Sequence, residues 1–446
     1  MSQIEAVPTS HQSDTQRPPQ RPTQRGAYFA ATILSLGYLL AFADRTVISL
    51  LVVPIEHDLR LSDVQMGLLQ GTAFALFYAG FGLPIAWAID RLRRSAIVAG
   101  GILVWSVMTG LCGLATGFAP FLAARIGVGA GEATILPGAT SMIADYFPPT
   151  KRGRVLGVFA SGIYIGSACA LIVGGILLRY FAAHRLHLPL IGTVAAWQSV
   201  FLAIAAPGIL LAIVALWMRE PVRITPHRAD FGFFTGFTEA GGALVVHMIG
   251  FTAIAFASYA ATAWLPAFFV RTLGWTVTQI GLRFGLVVLV IGPIGSVFGG
   301  WLADRLERAG RSDGKFLVGI IAGLGVIPAA MLVGFAPGAG LAFAGVVPVI
   351  FFTSFVWGIA PGALQEIIHG AVLGRVTAVY TAILNLIALG LGPLSVAVVA
   401  GLLHVNLGIA MAVVAPIAGL VAAIAFALGR GPYRARRATL NAINQN

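Results

Sequence analysis

The chain has 446 residues, of which 58% are hydrophobic and only 10% charged, with a formal net charge of +12; an ordinary soluble domain carries about 25% charged residues. That much apolar surface cannot be kept in water, so the composition excludes a soluble globular protein and indicates an integral membrane protein. The positive charge does not point to nucleic acid, because it is distributed along the chain in alternate loops rather than gathered into one basic surface.

Residues 1–26, "MSQIEAVPTSHQSDTQRPPQRPTQRG", are rich in Gln, Pro, Ser, Thr and Arg and lack an apolar h-region. They read as a disordered cytoplasmic tail, not a signal peptide. Apolar runs of spanning length, ~20 residues each, then recur about twelve times, at 27–54, 64–90, 95–116, 119–146, 153–182, 196–218, 242–270, 277–304, 316–336, 339–364, 373–402 and 407–429. The expected organisation is a six-helix bundle over 27–218, a charged cytoplasmic linker over 219–241, a second bundle over 242–429 and a cytoplasmic tail over 430–446.

Basic residues cluster near the N-terminus, at "DRLRR" (90–94), "TKRGR" (150–154), 219–228, 305–315 and "RGPYRARR" (430–437). The alternate loops carry only Arg60, Arg179, Arg185 and Arg271. The positive-inside rule then places both termini in the cytoplasm, which requires an even number of spans. Arg434, Arg436 and Arg437 are expected to meet anionic lipid head groups. Cys112 and Cys169 fall inside spans and read as packing residues.

Two segments repeat at half the chain length. "AWAIDRL" (86–92) and "GWLADRL" (300–306) share W-x-x-D-R-L, with Asp90 and Asp304 214 residues apart. "GRVLGVF" (153–159) and "GRVTAVY" (374–380) share G-R-V-x-x-V-aromatic, with Gly153 and Gly374 221 residues apart. Both copies start on the same side, so this is a parallel duplication of six helices.

The 6+6 organisation, the G-x-L-A-D-R type loop and "RIGVGAGEA" (125–133) resemble the major facilitator superfamily over 27–429. Together with "DRTV" in the first span and "ADYFPPTKRGRVLG" (144–157), they look most like its Spinster branch. The resemblance implies an all-α membrane protein of twelve transmembrane helices in two bundles. It also implies alternating-access transport of a lysophospholipid- or sphingolipid-like amphipath. The family's fifth-helix antiporter motif is only partly present, since Gly157, Gly166, Gly174 and Gly175 stand without its G-P pair.

Asp90, Arg91, Asp304 and Arg305 sit where a helix leaves the membrane, and pairing with Arg154 or Arg375 would close the cytoplasmic side. The plain alternative is interface-anchoring charge. More informative are the charges inside spans, Asp44, Arg45, Arg125 and Glu132. Arg125 and Glu132 are seven residues apart, hence within ~20° of one helical face and ~10 Å apart along its axis. Gly127, Gly129 and Gly131 between them are expected to let the first helix approach closely. Asp44 and Arg45 diverge by ~100°, so Asp44 with Arg125 and Arg45 with Glu132 are reachable crossed pairs.

A carboxylate in such a place is pulled two ways, by desolvation towards the acid and by a guanidinium towards the anion. Moving the Arg would then load or release a proton, with the Arg itself always charged. A permanent ion pair locking two helices is the competing reading.

Candidate cavity residues are Phe42, Tyr78, Tyr164, Tyr259, Trp264, Trp357 and Tyr380, with Asn385 as a polar contact and Arg283 as an anion contact or a snorkelling residue. The expected cavity is apolar and aromatic with few polar groups. His247 reads as a packed or interfacial histidine that could titrate near neutrality.

The sequence contains no H-E-x-x-H, G-x-S-x-G or P-loop motif, so neither an intramembrane enzyme nor an ATP-driven pump is expected. No cofactor beyond the coupling proton is expected, and no metal. The expected partners are a small amphipathic or anionic substrate and membrane lipids, with the protein working as a monomer in a bacterial inner membrane. The competing cargoes on the same fold are small organic or aromatic anions, or drugs moved by antiport.

Overall fold

The computed structural model describes residues 24–189, 191–223 and 235–445; the expectation for residues 1–23 and part of the linker falls outside them. In chain order the first half comprises α1 (Gln24–Leu59), α2 (Asp63–Arg91), α3 (Arg94–Cys112), α4 (Phe118–Glu132 and Ile135–Tyr146), α5 (Pro149–Ala183) and α6 (Ala196–Ala215). The second comprises α7 (Thr235–Arg271), α8 (Val277–Arg308), α9 (Gly314–Phe335), α10 (Ala339–Gln365), α11 (Gly370–Leu384, continued through Gly390–Leu403) and α12 (Leu407–Gln445). A two-stranded hairpin pairing His187 with Thr193 joins α5 to α6.

Eleven of these helices are long and apolar enough to span a membrane unbroken. The twelfth is α4, which is divided into Phe118–Glu132 and Ile135–Tyr146. Pro137 has no N–H to give the carbonyl of Ala133, so the ladder opens there. Ala133 and Thr134 nevertheless keep right-handed helical angles, and the two pieces run on as one crossing.

Two helices contain a short π segment, Leu68–Thr72 in α2 and Asn385–Leu389 in α11, the latter between Gly370–Leu384 and Gly390–Leu403. These segments face each other across the two halves, where the Thr72 hydroxyl donates to the Gly390 carbonyl at 2.6 Å.

The halves meet most tightly at the end away from the termini. A Cβ on Gly71 would lie 2.3 Å from the Leu389 carbonyl oxygen, and one on Gly281 of α8 would lie 2.5 Å from that of Leu171 on α5. Arg271, at the end of α7, pairs across the halves with Glu56 of α1 and, at 2.7 Å, with Asp63 of α2. Towards the terminal end the same helices part: Gly80, Gly82, Gly157 and Gly374 have nothing against the position of a Cβ. The molecule is therefore shut at the far end and open at the end bearing the termini.

Two expected boundaries move. The linker ends early, because helix begins at Thr235 and the chain only kinks at Gly241, where φ is 43°. The expected tail over 430–446 is instead the last four turns of α12. Arg430 bonds Asp313 at 2.5 Å, Arg436 bonds Glu239 at 2.9 Å and Arg437 bonds Glu307 at 3.0 Å. Arg436 and Arg437 thus serve the bundle, contrary to the expectation that they meet lipid head groups. The glycines of α4 also admit different neighbours: Gly127 and Gly131 seat Met108 and Trp105 of α3, and Gly129 seats Phe74 of α2, rather than α1.

Candidate transport site

The four charges inside the membrane form two crossed pairs. Arg45 Nε lies 2.5 Å from Glu132 Oε2, and Arg125 Nη1 lies 3.1 Å from Asp44 Oδ2. Their surroundings differ. Asp44 also accepts from the Thr109 hydroxyl of α3 at 2.8 Å, and Arg125 donates to the Leu69 carbonyl at 3.3 Å, so this pair is closed in among α1 to α4. Arg45 faces the interior cavity, stacked among the rings of Phe42, Phe74 and Tyr78 with its guanidinium 4.5–5.0 Å from each centroid. Glu132 stands behind it, fully buried, with Oε1 unpaired.

The cavity has two chambers that share Phe42, Arg45, Tyr259 and Trp357. The one towards the terminal end, of about 220 Å³, is walled by Tyr38, Tyr78, Tyr380, Leu384 and Asn385. The inner one, of about 130 Å³, is lined by Thr46, Ser49, Gln70, Ser167, Ser258, Thr262, Thr353 and Ser354 as well as Tyr164. Arg45 occupies the neck between an aromatic vestibule and a hydroxyl-rich end chamber. The expected cavity is apolar and aromatic with few polar groups; apolar side chains dominate both chambers, and the inner one carries more hydroxyls.

The sequence profile of the Major Facilitator Superfamily matches residues 34–393. The chain belongs to the major facilitator superfamily. Among solved structures, a bacterial homologue of the human lysosomal transporter Spinster, in an inward-facing and unoccupied conformation, superposes with a TM-score of 0.76. It is 27% identical, and the match covers 94% of this chain and 98% of that one. An MFS-type efflux pump of Mycolicibacterium smegmatis is 31% identical over 315 residues, 69% of each chain. The hexuronate transporter of Bacillus subtilis is 26% identical over 361 residues, 77% of this chain and 81% of its own.

Within this facilitator fold, seven of the nine candidate cavity residues line a chamber: Phe42, Tyr78, Tyr164, Tyr259, Trp357, Tyr380 and Asn385. Two do not. Trp264 is fully buried and its indole N–H donates to the Pro393 carbonyl at 2.7 Å, fastening α7 to α11. Arg283 is exposed, its guanidinium 4.4 Å from the ring centroid of Trp275, on the outside of α8 rather than in the cavity. His247 is buried, edge-on to Phe251 and Tyr380, and neither ring nitrogen has a partner.

The expected gate residues lie at the open end. Arg91 and Arg305 stack on Trp87 and Trp301 of their own helices. The backbone carbonyls of Asp90 and Asp304 accept from Arg223 and Arg308. Arg154 is exposed and Arg375 is half-buried.

The denser ion clusters are residues that sequence reasoning passed over. Arg94 is almost completely buried and bonds Asp145 at 2.5 Å, Glu220 at 2.7 Å and the Ser141 hydroxyl at 2.9 Å. Burial raises the Glu220 carboxyl, but the Ser95 N–H and Arg94 outweigh that and hold it below the usual carboxylate range. In the second half Lys315 bridges Glu307 and Glu366, both at 2.6 Å. Arg94 was visible as the last residue of "DRLRR", but it reads there as one more loop cation.

Proposed function

We propose that the protein is a proton-coupled secondary transporter working by alternating access. Its cargo is a lysophospholipid- or sphingolipid-like amphipath with an anionic head group, Glu132 carries the proton and Arg45 is the switch. The observation that carries this reading is the position of Arg45, which touches both chambers and Glu132 at once.

An anionic head entering the neck competes for the guanidinium. As Arg45 turns towards cargo, Glu132 loses its counter-charge in a dry site and takes a proton, so cargo and proton are held together. When the bundles rock and cargo leaves, Arg45 returns and expels the proton on the other side. The aromatic vestibule takes the apolar body of the cargo, and Asp44 with Arg125 holds α1 to α4 as a fixed pair. The basic loops orient both termini to the cytoplasm of a bacterial inner membrane, which makes the open end cytoplasmic. The protein works as a monomer, with membrane lipids around it and no cofactor.

A small organic anion is the second reading, supported by the hydroxyl-lined chamber and by the likeness to a hexuronate transporter. The test is reconstitution into liposomes holding a pH dye, with lysophospholipid or hexuronate added outside. Cargo-dependent proton flux that disappears in Glu132→Gln while cargo still binds is the expected result. Cargo movement with no proton flux, the same in wild type and Glu132→Gln, would return Glu132 to a structural role. Flux with hexuronate alone would replace the lipid reading by the second one.

A further inference from the structure

Gln70 is the polar residue of the cavity whose hydrogen bonds are least accounted for. It lies on the π segment of α2, is 5% exposed and lines the inner chamber, and neither Nε2 nor Oε1 has a partner. A buried amide left unpaired costs roughly 1–3 kcal/mol per group, so the arrangement persists only if something satisfies it. Across the chamber four hydroxyls have already placed their protons: Thr46 donates to Ser167 at 3.0 Å, Ser49 to the Thr46 carbonyl at 2.7 Å, Thr262 to the Ser258 carbonyl at 2.9 Å and Thr353 to the Val349 carbonyl at 2.8 Å, whereas the Tyr164 hydroxyl has no partner. Each of those oxygens keeps acceptor lone pairs.

The chamber therefore offers one fixed cation, one amide with both a donor and an acceptor free, one free phenol hydroxyl on Tyr164, and a set of oxygens that can accept. A bare phosphate or carboxylate would satisfy Arg45 but supply no donor to Gln70 Oε1 or to the hydroxyl oxygens. A head group bearing hydroxyls as well as a negative charge would satisfy all of these. From this we infer that the inner chamber is a subsite for a hydroxyl-bearing anionic head group, and that Gln70 is its specificity-determining residue. Cargo then sits with its head past the neck, on Gln70 and the α1, α7 and α10 hydroxyls, and with any apolar tail in the vestibule.

The inference rests on the reading of the cavity as the cargo site and is tested so that the two can fail separately. The full-length protein in nanodiscs is titrated calorimetrically with two matched pairs. Lauroyl lysophosphatidylglycerol is set against dodecyl methyl phosphate, which has the same charge and no hydroxyl. Glucuronate is set against cyclohexanecarboxylate. The expected result is that the hydroxylated member of at least one pair binds about tenfold or more tightly, and that Gln70→Leu removes most of that preference by weakening only the hydroxylated member. Gln70→Met, closer in shape, and Thr262→Val, on the opposite wall, should do the same to a lesser degree and guard against a folding defect.

A preference confined to the acid pair and dependent on Gln70 would sink the lipid reading and leave the subsite standing. Equal binding within both pairs, a preference unchanged by Gln70→Leu, or no binding of any of the four probes would overturn the subsite itself.

Discussion

The two bundles descend from one duplicated unit, yet they place their charged residues differently. The first places Asp44, Arg45, Arg125 and Glu132 inside the membrane, two of them at the centre of the molecule. In the second, among the described residues, the buried groups at comparable depth are uncharged side chains such as Thr353, Ser354 and Asn385, together with His247. Among the described residues, the ion pairs made within the second half lie at the terminal end, where Glu307, Lys315, Glu366 and Arg437 meet. A shared fold thus fixes the rocking geometry without fixing the chemistry. The membrane-embedded charges sit on one side of the pseudo-axis, and the opposite side supplies wall, in the aromatic rings of Tyr259, Trp357 and Tyr380 and the hydroxyls of α7 and α10.

The largest test of that division compares the proton-handling candidate of each half. Glu132→Gln should lower cargo-driven proton flux by about a hundredfold or more if, as proposed, Glu132 is the group that carries the proton. His247→Ala should leave flux within about twofold, because His247 packs against Phe251 and Tyr380 and makes no ion pair. Loss of coupling in His247→Ala with Glu132→Gln still coupled would invert the assignment of roles.

Next in size is a contrast within the first half. Asp44→Asn leaves Arg125 as a buried cation without its counter-charge, a change that costs about 3–5 kcal/mol in comparable pairs. The expected outcome is a lowered Tm and yield in detergent, with the proton-to-cargo ratio of the surviving protein unchanged. A normal Tm with an altered ratio would move Asp44 from the structural pair into the mechanism.

A smaller effect separates the shut end from the open end. Gly71→Ala pushes a methyl group into the Leu389 carbonyl across the halves, an overpacking worth about 1–3 kcal/mol. It should therefore shift the population towards a far-end-open state. Arg271→Ala, which removes the pairs to Glu56 and Asp63, should act in the same direction. Gly80→Ala, on the same helix but with free space around it, should do nothing. Labelling from the far side of a cysteine placed at Thr262 reads this directly. The background is made clean by Cys169→Ser, because Cys169 is exposed while Cys112 is buried. Equal labelling in all three variants would mean that the far-end contacts do not hold the closed state.

How much of this was legible in the sequence depends on whether a feature needs only one helix or the relation between several. Apolar runs reveal spans one at a time, and helical geometry alone brings Arg125 and Glu132 to one face for Asp44 and Arg45 to meet. Trp264 and Arg283 were misplaced because the face a residue presents inside a bundle depends on how its helix is rotated against its neighbours. Gln70 was invisible for a sharper reason. The π segment Leu68–Thr72 adds a residue to the turn and rotates the face that a regular α-helix would present, and apolar periodicity cannot register that shift. Apolar runs mark the last helix only to residue 429, because the basic stretch "RGPYRARR" (430–437) ends the apolar run without ending the helix. Here the ion pairs of Arg430, Arg436 and Arg437 with α7, α8 and the start of α9 carry it through.

The smallest expected effect concerns the Arg94 cluster at the terminal end of the first half, and its sign follows from linkage. Glu220 is held below the usual carboxylate range, burial being outweighed by the Ser95 N–H and Arg94. A depressed acid adds stability that is complete above its unfolded value of about 4.3 and is lost as pH falls through the lower, folded value. Wild type should therefore exceed Glu220→Gln in Tm at neutral pH, by an amount equivalent to about 1 kcal/mol or less for a partly exposed pair. The gap should close only below about pH 4. Asp145 would still hold Arg94 in the variant, at 2.5 Å, so the helix junction survives and only the increment is read. A gap that instead closes between pH 5 and 7 would assign the stabilisation to a group other than Glu220, since no carboxylate with a lowered pKa gains its proton there.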